Sequence, residues 1–306
     1  MNPVLLFPGQ GSQYIGMGKS FYDHVQLVRD IFEEASAILQ MDLKRLCFEG
    51  PESVLVQTEN VQPAVTLVNL ACFHVIRNEG VLSVAAAGHS LGEYAALYAA
   101  GVFSLTDTLK LVRSRGQFMQ GAAGQNPGGM IAVMGLEFGR LQEICEQVQS
   151  VGSIEVANHN SPRQVILTGQ HEALKTAGEL AKKSGAKLVV PLKVSGPWHS
   201  KFMRSASIMM EGRLATCSMK VPTVPVVSNV TGNFYLSTEE IRSCLVQQIV
   251  RPVKWVDCIT QLIRSGNRIF VEVGPGRTLA GLMRDIDKEV KVINVEKPDD
   301  LARLKA

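Results

Sequence analysis

Val84-Ala85-Ala86-Ala87-Gly88-His89-Ser90-Leu91-Gly92-Glu93-Tyr94 is the stretch on which the reading of this chain turns. Residues 84–87 are small and apolar, as a short buried strand requires. Residues 93–100 make a helical run that Gly101 stops. Between them, Gly88-His89-Ser90-Leu91-Gly92 spells G-x-S-x-G. A strand that turns directly into a helix needs small residues on both sides of the turn. Such a turn lifts the central hydroxyl above the end of a sheet and points the following N–H groups at one spot. A hydroxyl beside such donors is equipped for acyl transfer. An ordinary surface serine on a glycine-rich turn shares the pattern, but the strand before and the helix after favour a nucleophile.

Working outward, strand candidates at 3–7, 84–87, 224–229, 268–273 and 290–295 alternate with helical stretches. Ile31, Phe32, Ala35, Ile38 and Leu39 recur at helical spacing, as do Ala64, Val68, Ala71, Cys72 and Val75. Alternation of this kind predicts an α/β fold with a parallel sheet covered on both faces. The middle third reads differently: strand 130–136, a helix marked by Leu141, Ile144, Cys145 and Val148, strands 154–157 and 164–168, helix 174–183, strand 187–194. That β-α-β-β-α-β order is the ferredoxin-like pattern, and the glycine-rich segment 121–129 precedes it. The expected organisation is a large α/β domain from residues 1–125 and 194–306. A small ferredoxin-like α+β domain, residues 126–193, is inserted into it. The cleft between two such units is the natural place for a substrate.

Composition narrows the partners. The chain has 306 residues, 46% hydrophobic and 19% charged, with a net charge of +3, which suits a globular protein and offers no basic run for nucleic acid. No apolar stretch reaches membrane-spanning length, and the opening Val4-Leu5-Leu6-Phe7 is too short for a signal segment. Cys47, Cys72, Cys145, Cys217, Cys244 and Cys258 show no C-x-x-C spacing and read as free thiols. A reducing, cytoplasmic setting is the expectation.

Two further loops bear on the serine. Phe7-Pro8-Gly9-Gln10-Gly11-Ser12-Gln13 follows the first strand and can present main-chain N–H groups near Ser90. Gly18-Lys19-Ser20 has the ending of a phosphate loop, but the first glycine of that motif would fall at Gln13, which rules out a nucleotide triphosphatase. Of the six histidines, His199 stands in Ser195-Gly196-Pro197-Trp198-His199-Ser200, an irregular loop after the last middle strand. It is the candidate base. The only aspartate between Ser90 and His199 is Asp107, in the helix start Ser104-Leu105-Thr106-Asp107, and no histidine follows 199. A Ser–Asp–His triad is therefore poorly supported. A Ser–His dyad whose ring is oriented by a main-chain carbonyl fits better. Arg113 and Arg115 read as lying near the end of the next helix; with Gly116 beside it, Arg115 could enter a cleft and bind a carboxylate through two hydrogen bonds.

These pieces together resemble the malonyl-CoA:acyl carrier protein transacylase family, which includes polyketide synthase acyltransferase domains. The resemblance rests on 7–13, Gln62-Pro63-Ala64, Gly88 to Tyr94, Arg115-Gly116, Asn158 with Asn160-Ser161-Pro162, His199, Ser228-Asn229-Val230, Gln248 and Val273-Gly274-Pro275-Gly276. It implies a hydrolase-like large domain and ping-pong malonyl transfer from malonyl-CoA to the phosphopantetheine thiol of acyl carrier protein. By the same resemblance Ser90 is the nucleophile and His199 its base. The N–H groups of Gln10 and Leu91 form the oxyanion hole. Arg115 holds the acyl carboxylate, the main-chain carbonyl of Gln248 orients His199, and Gln62 lines the pocket. No bound cofactor and no metal is implied. One position departs from the family's common pattern: Trp198 precedes the histidine where Ser or Phe is frequent. Its bulk would narrow the space beside the acyl α-carbon, favouring unbranched malonyl, or reshape the pocket for another acyl group. Lys201 and Arg204, just beyond His199, are candidates to meet an acidic carrier. The alternative functions are an acyl hydrolase that clears carrier proteins and a non-catalytic docking module. Retention of Arg115 speaks against the first, and the dyad with both oxyanion loops against the second.

Overall fold

Four parallel strands, β1 (Val4–Phe7), β2 (Ala85–Gly88), β7 (Ile269–Val273) and β8 (Lys291–Val295), form a sheet of order β2-β1-β7-β8 in the computed structural model, which describes residues 2–305. Every residue of β1 is buried, because both faces of the sheet are covered. Leu5 and Phe7 point into one core with helices α5 (Thr58–Asn78), α6 (Gly92–Ala99) and α7 (Leu105–Gln125). Val4 and Leu6 point into the other, with α12 (Trp255–Arg264) and α13 (Thr278–Ile286). Helices α1 to α4 (Lys19–His24, Gln26–Leu39, Leu43–Phe48, Glu52–Leu55) fill the chain between β1 and α5. Among the described residues no helix is long and apolar enough to cross a membrane.

The middle of the chain forms a separate antiparallel sheet of order β4-β5-β3-β6, from β3 (Gly129–Met134), β4 (Ile154–Ser161), β5 (Gln164–Gly169) and β6 (Leu188–Pro191). One face packs Ile131, Val133, Val165 and Leu167 under α8 (Phe138–Val148) and α9 (His171–Lys183). Met130, Ala132 and Ile166 occupy the other face and look into the cleft. Main-chain bonds between Val253 and β4, His159 N to Val253 O at 2.9 Å and Val253 N to Ala157 O at 2.8 Å, tie this sheet to the start of α12. After β6 the chain runs through α10 (Arg204–Ala215) and α11 (Thr238–Gln248) before α12, and α14 (Ala302–Lys305) ends the described chain.

Three local expectations are corrected. Segment 224–229 is not a strand: it makes single bridges, Val226 to Ala86 and Val227 to Phe234. Pro222 and Pro225 have no N–H for a ladder, which limits this edge to isolated bonds. Strand β4 continues through Ser161, so 158–161 is ladder and not loop. Helix α7 is also longer than expected. Arg115 sits at its middle, and Gly121 and Gly124 lie inside it. Gly116 explains why glycine is tolerated there: a Cβ at that position would come within 2.7 Å of the Thr58 carbonyl, so α7 packs directly on α5. The same contact settles Arg113. Pro63 cannot donate to the Glu59 carbonyl one turn back, and Arg113 Nη1 donates to it instead at 2.6 Å. All six cysteines are free thiols, five buried and Cys217 half-buried.

Candidate active site

The turn between β2 and α6 is forced by its glycines. A Cβ on Gly88 would lie 1.9 Å from the Gly92 carbonyl carbon, and one on Gly92 would lie 2.0 Å from the Phe7 carbonyl oxygen. The compression puts Ser90 in the left-handed region, φ 50°, a strained state for a serine. Asn229 braces it from outside: its Oδ1 accepts the Ser90 N–H at 2.6 Å and its Nδ2 donates to the Gly88 carbonyl at 2.8 Å. His89 turns sideways, its Nε2 2.8 Å from Asn160 Oδ1 and its ring edge-on to Trp255.

His199 is the second strained residue, φ 58°, and it is 4% exposed. Its Nδ1 lies 2.7 Å from the main-chain oxygen of Gln248 and its Nε2 2.7 Å from Ser90 Oγ. A carbonyl can only accept, so Nδ1 carries the proton and the Ser90 hydroxyl donates to Nε2. Burial, and then the Arg115 charge, pull the imidazole down to about 3. At neutral pH the ring is uncharged and ready to take a proton. Among the described residues no carboxylate hydrogen-bonds His199; the Gln248 carbonyl stands where a triad's acid would.

Arg115 is 1% exposed and reaches the serine from α7. Nη2 donates to Ser90 Oγ at 3.1 Å and to Gln248 Oε1 at 2.9 Å, and Nη1 donates to Gln62 Oε1 at 2.9 Å. Its guanidinium also stands 5.8 Å from the Tyr94 ring centroid. Burial alone pulls its affinity for a proton down, yet an arginine stays charged. Gln62 and Gln248 are fully buried behind Arg115 and are not on the cleft wall, so Gln62 supports the arginine and does not line the pocket.

The loop after β1 closes the site. A Cβ on Gly9 would lie 2.3 Å from the His89 carbonyl, so this loop rests on the serine turn. Asn69 Nδ2 donates to the Pro8 carbonyl at 2.9 Å and Ser12 Oγ to the Gly9 carbonyl at 2.8 Å, holding its shape. The main-chain N–H groups of Gln10 and Leu91 donate to no acceptor among the described residues. The cleft, about 490 Å³, is lined by Gln10, Ser90, Arg115, Trp198 and His199 on one side and by Met130, Ala132, Asn160 and Ile166 on the other. Trp198 is 5% exposed, its ring packed under Gly196 and beside His199. Lys201 and Arg204 are exposed and stand outside the cleft lining.

Two contributors carried no assigned role in the sequence. Asn229 sits in a motif of the resemblance, but its bracing of the serine needs the fold. Glu93 had one available signal, a lone acid in the apolar helix start Gly92-Glu93-Tyr94-Ala95-Ala96-Leu97.

A strained serine on a strand–turn–helix, an uncharged histidine against it and unpaired N–H groups beside it in an α/β fold make the arrangement a serine nucleophile requires. The chain belongs to the acyl transferase domain family, whose model matches residues 4–297. It is 39% identical over 299 residues to the malonyl CoA-acyl carrier protein transacylase of Bacillus subtilis strain 168, covering 97% of this chain and 94% of that protein. An acyl-carrier-protein S-malonyltransferase crystal structure from Burkholderia pseudomallei superposes with a TM-score of 0.96 at 38% identity, covering 99% of both chains. A malonyl-transacylase solved in complex with a holo type II PKS acyl-carrier protein matches with a TM-score of 0.96 at 35% identity, covering 99% of this chain and 98% of that one.

Proposed function

We propose that this protein is a malonyl-CoA:acyl carrier protein S-malonyltransferase, working through a malonyl ester on Ser90. The observation that carries the reading is Arg115: a buried guanidinium 3.1 Å from the nucleophile, whose hydrogen bonds go to the neutral oxygens of Ser90, Gln62 and Gln248, selects an acyl group that ends in a carboxylate.

In the first half-reaction Ser90 passes its proton to His199 Nε2 as Oγ attacks the thioester carbon of malonyl-CoA. The oxyanion forms against the N–H groups of Gln10 and Leu91. Collapse expels the CoA thiolate, which takes the proton from His199. In the second, the phosphopantetheine thiol of the carrier gives its proton to His199, attacks the ester and leaves as malonyl thioester, and Ser90 recovers its proton. Malonyl-CoA is substrate here and coenzyme A a product; the chemistry calls for no bound cofactor and no metal. The names of the relatives, one of them held by a carrier protein, support malonyl-CoA and acyl carrier protein as partners. Lys201 and Arg204 are the residues we assign to first contact with an acidic carrier. The product serves fatty acid or polyketide synthesis in the cytoplasm.

In this reading residues 1–125 and 194–306 are a hydrolase-like catalytic domain, supported by the parallel sheet and serine turn. Residues 126–193 are an inserted ferredoxin-like domain, supported by the β-α-β-β-α-β order and the strand order β4-β5-β3-β6. Intact-protein mass spectrometry after mixing with a panel of acyl-CoAs tests the function. A malonyl mass that persists in water and leaves on adding holo carrier protein is expected. A mass that never forms, or that water removes as fast as carrier does, overturns the transferase in favour of an inert or hydrolytic protein.

A further inference from the structure

Glu93 has no part in the reaction as written, yet it is wholly buried within one helical turn of the nucleophile. Everything that touches its carboxyl group is a donor. The Asn229 N–H stands 3.3 and 3.4 Å from its two oxygens, Gln248 Nε2 donates at 2.5 Å, and the Tyr235 hydroxyl donates to Oε1. An accept-only carboxylate matches that set: the Asn229 N–H and the Gln248 NH₂ can only donate, and a protonated carboxyl could turn its O–H only to the Tyr235 hydroxyl. Burial raises the group, and with these donors and the Arg115 charge pulling the other way it stands at about 7.

The consequence lies in the Gln248 amide. Its NH₂ end serves Glu93 and the Ser90 carbonyl, the latter at 2.9 Å, and its oxygen faces Arg115 Nη2 at 2.9 Å. Flipped, the amide would set NH₂ against the guanidinium and oxygen against a carboxylate. Glu93 thus joins the Ser90 carbonyl and Arg115 in fixing which way the amide points. When ionised, it also places a negative charge one amide away from Arg115 and not against it. The arginine is balanced electrostatically, while no side-chain carboxylate competes for its N–H groups.

We propose that Glu93, acting through the Gln248 side chain, is the positioning residue that keeps Arg115 set for an acyl carboxylate, and so sustains the preference for dicarboxylic over uncharged acyl groups. This rests on the malonyl reading above. A purely structural role for Glu93 would weaken all substrates alike; a role through Arg115 weakens the charged one selectively.

The test compares kcat/KM for loading of Ser90 from malonyl-CoA and from acetyl-CoA. Glu93→Gln keeps the shape but presents its own NH₂ to donors. It is expected to lower the malonyl-to-acetyl ratio about tenfold or more. Tyr235→Phe removes one donor and leaves the carboxylate–amide contact, so the ratio should stay near wild type. Should Glu93→Gln not fold, Gln248→Met carries the question: it keeps the main-chain oxygen for His199, removes the amide, and should lower the ratio in the same direction. A folded Glu93→Gln, or failing that Gln248→Met, with equal losses for both substrates or an unchanged ratio overturns the proposal. Wild-type protein that takes no malonyl sinks the functional reading itself, which separates the two failures.

Discussion

The two walls of the cleft follow opposite principles. On the wall carried by the parallel sheet, each reacting side chain is held by a further partner: Ser90 by Asn229 through its N–H, His199 by the Gln248 carbonyl, Arg115 by Gln62 and Gln248. The facing wall, from the antiparallel sheet, offers mostly contour: Met130, Ala132, Ile166 and Val190. Backbone strain is distributed the same way. Among the described residues only Gln40, Ser90 and His199 are non-glycine residues with positive φ, and two of the three are the hydrogen-bonded pair of the cleft. Fixed polar geometry is costly to misplace in a dry site, so chemistry sits where hydrogen bonds over-determine position. Shape selection needs only a surface that excludes what does not fit.

On that polar wall, changes at Ser90 and His199 should alter the chemistry, and changes at Arg115 and Trp198 the choice of acyl group. The largest effect is expected for Ser90→Ala. Loss of a nucleophile that acts as a unit with its base costs on the order of 10⁵–10⁶ in kcat. No malonyl mass should appear on the alanine variant; its appearance would move the nucleophile elsewhere and dissolve the comparison.

Arg115→Ala comes next. Hydrogen bonds to a charged group contribute roughly 1.5–3 kcal/mol each, so malonyl-CoA should lose about 10²-fold or more in kcat/KM while acetyl-CoA loses far less. Parallel losses for the two thioesters would take the guanidinium out of acyl recognition.

The pH profile sharpens the electrostatic side. Because burial and Arg115 depress His199 to about 3, the base stays uncharged well below the usual 6.5. With acetyl-CoA, whose acyl group does not titrate, the acid limb of kcat/KM should lie below pH 5. Removing Arg115 removes a like charge and should move the limb toward neutrality. A wild-type limb near 6.5 would contradict the depression. The stability sign is the same: between about 6.5 and 3 the unfolded chain binds this proton and the folded one does not, so stability falls as pH falls through that window.

Trp198 lines the same wall with no hydrogen bond from its ring among the described residues, and its effect should be smallest. A pocket discriminates a methyl-sized group by about 1–3 kcal/mol, so Trp198→Ser should raise methylmalonyl over malonyl loading by roughly tenfold. The ratio is the quantity to measure, since loosening His199 would slow both. An unmoved ratio, with both substrates still processed, means the ring packs away from the acyl α-carbon.

Much of this was legible in one dimension, because it is local. The serine turn can be read from Gly88 and Gly92, since only glycine fits where a Cβ would strike the chain within 2.0 Å. The buried strands and the β-α-β-β-α-β order follow from short-range periodicity, and Ser104 marks the start of α7 by capping it. The tertiary structure decided the rest. It carried α7 through Gly116, where packing on α5 outweighs the low helix propensity of glycine, and on past Gly121 and Gly124. It reduced 224–229 to isolated bridges and moved Gln62 from the pocket wall to a place behind Arg115. Above all it joined Ser90, Glu93, Arg115, His199, Asn229 and Gln248, which are up to 158 positions apart, into one hydrogen-bonded network. Local spacing reports which residues share a turn or a strand; it carries no record of which distant donor will meet which acceptor, because that pairing is set only when burial removes water as the alternative partner.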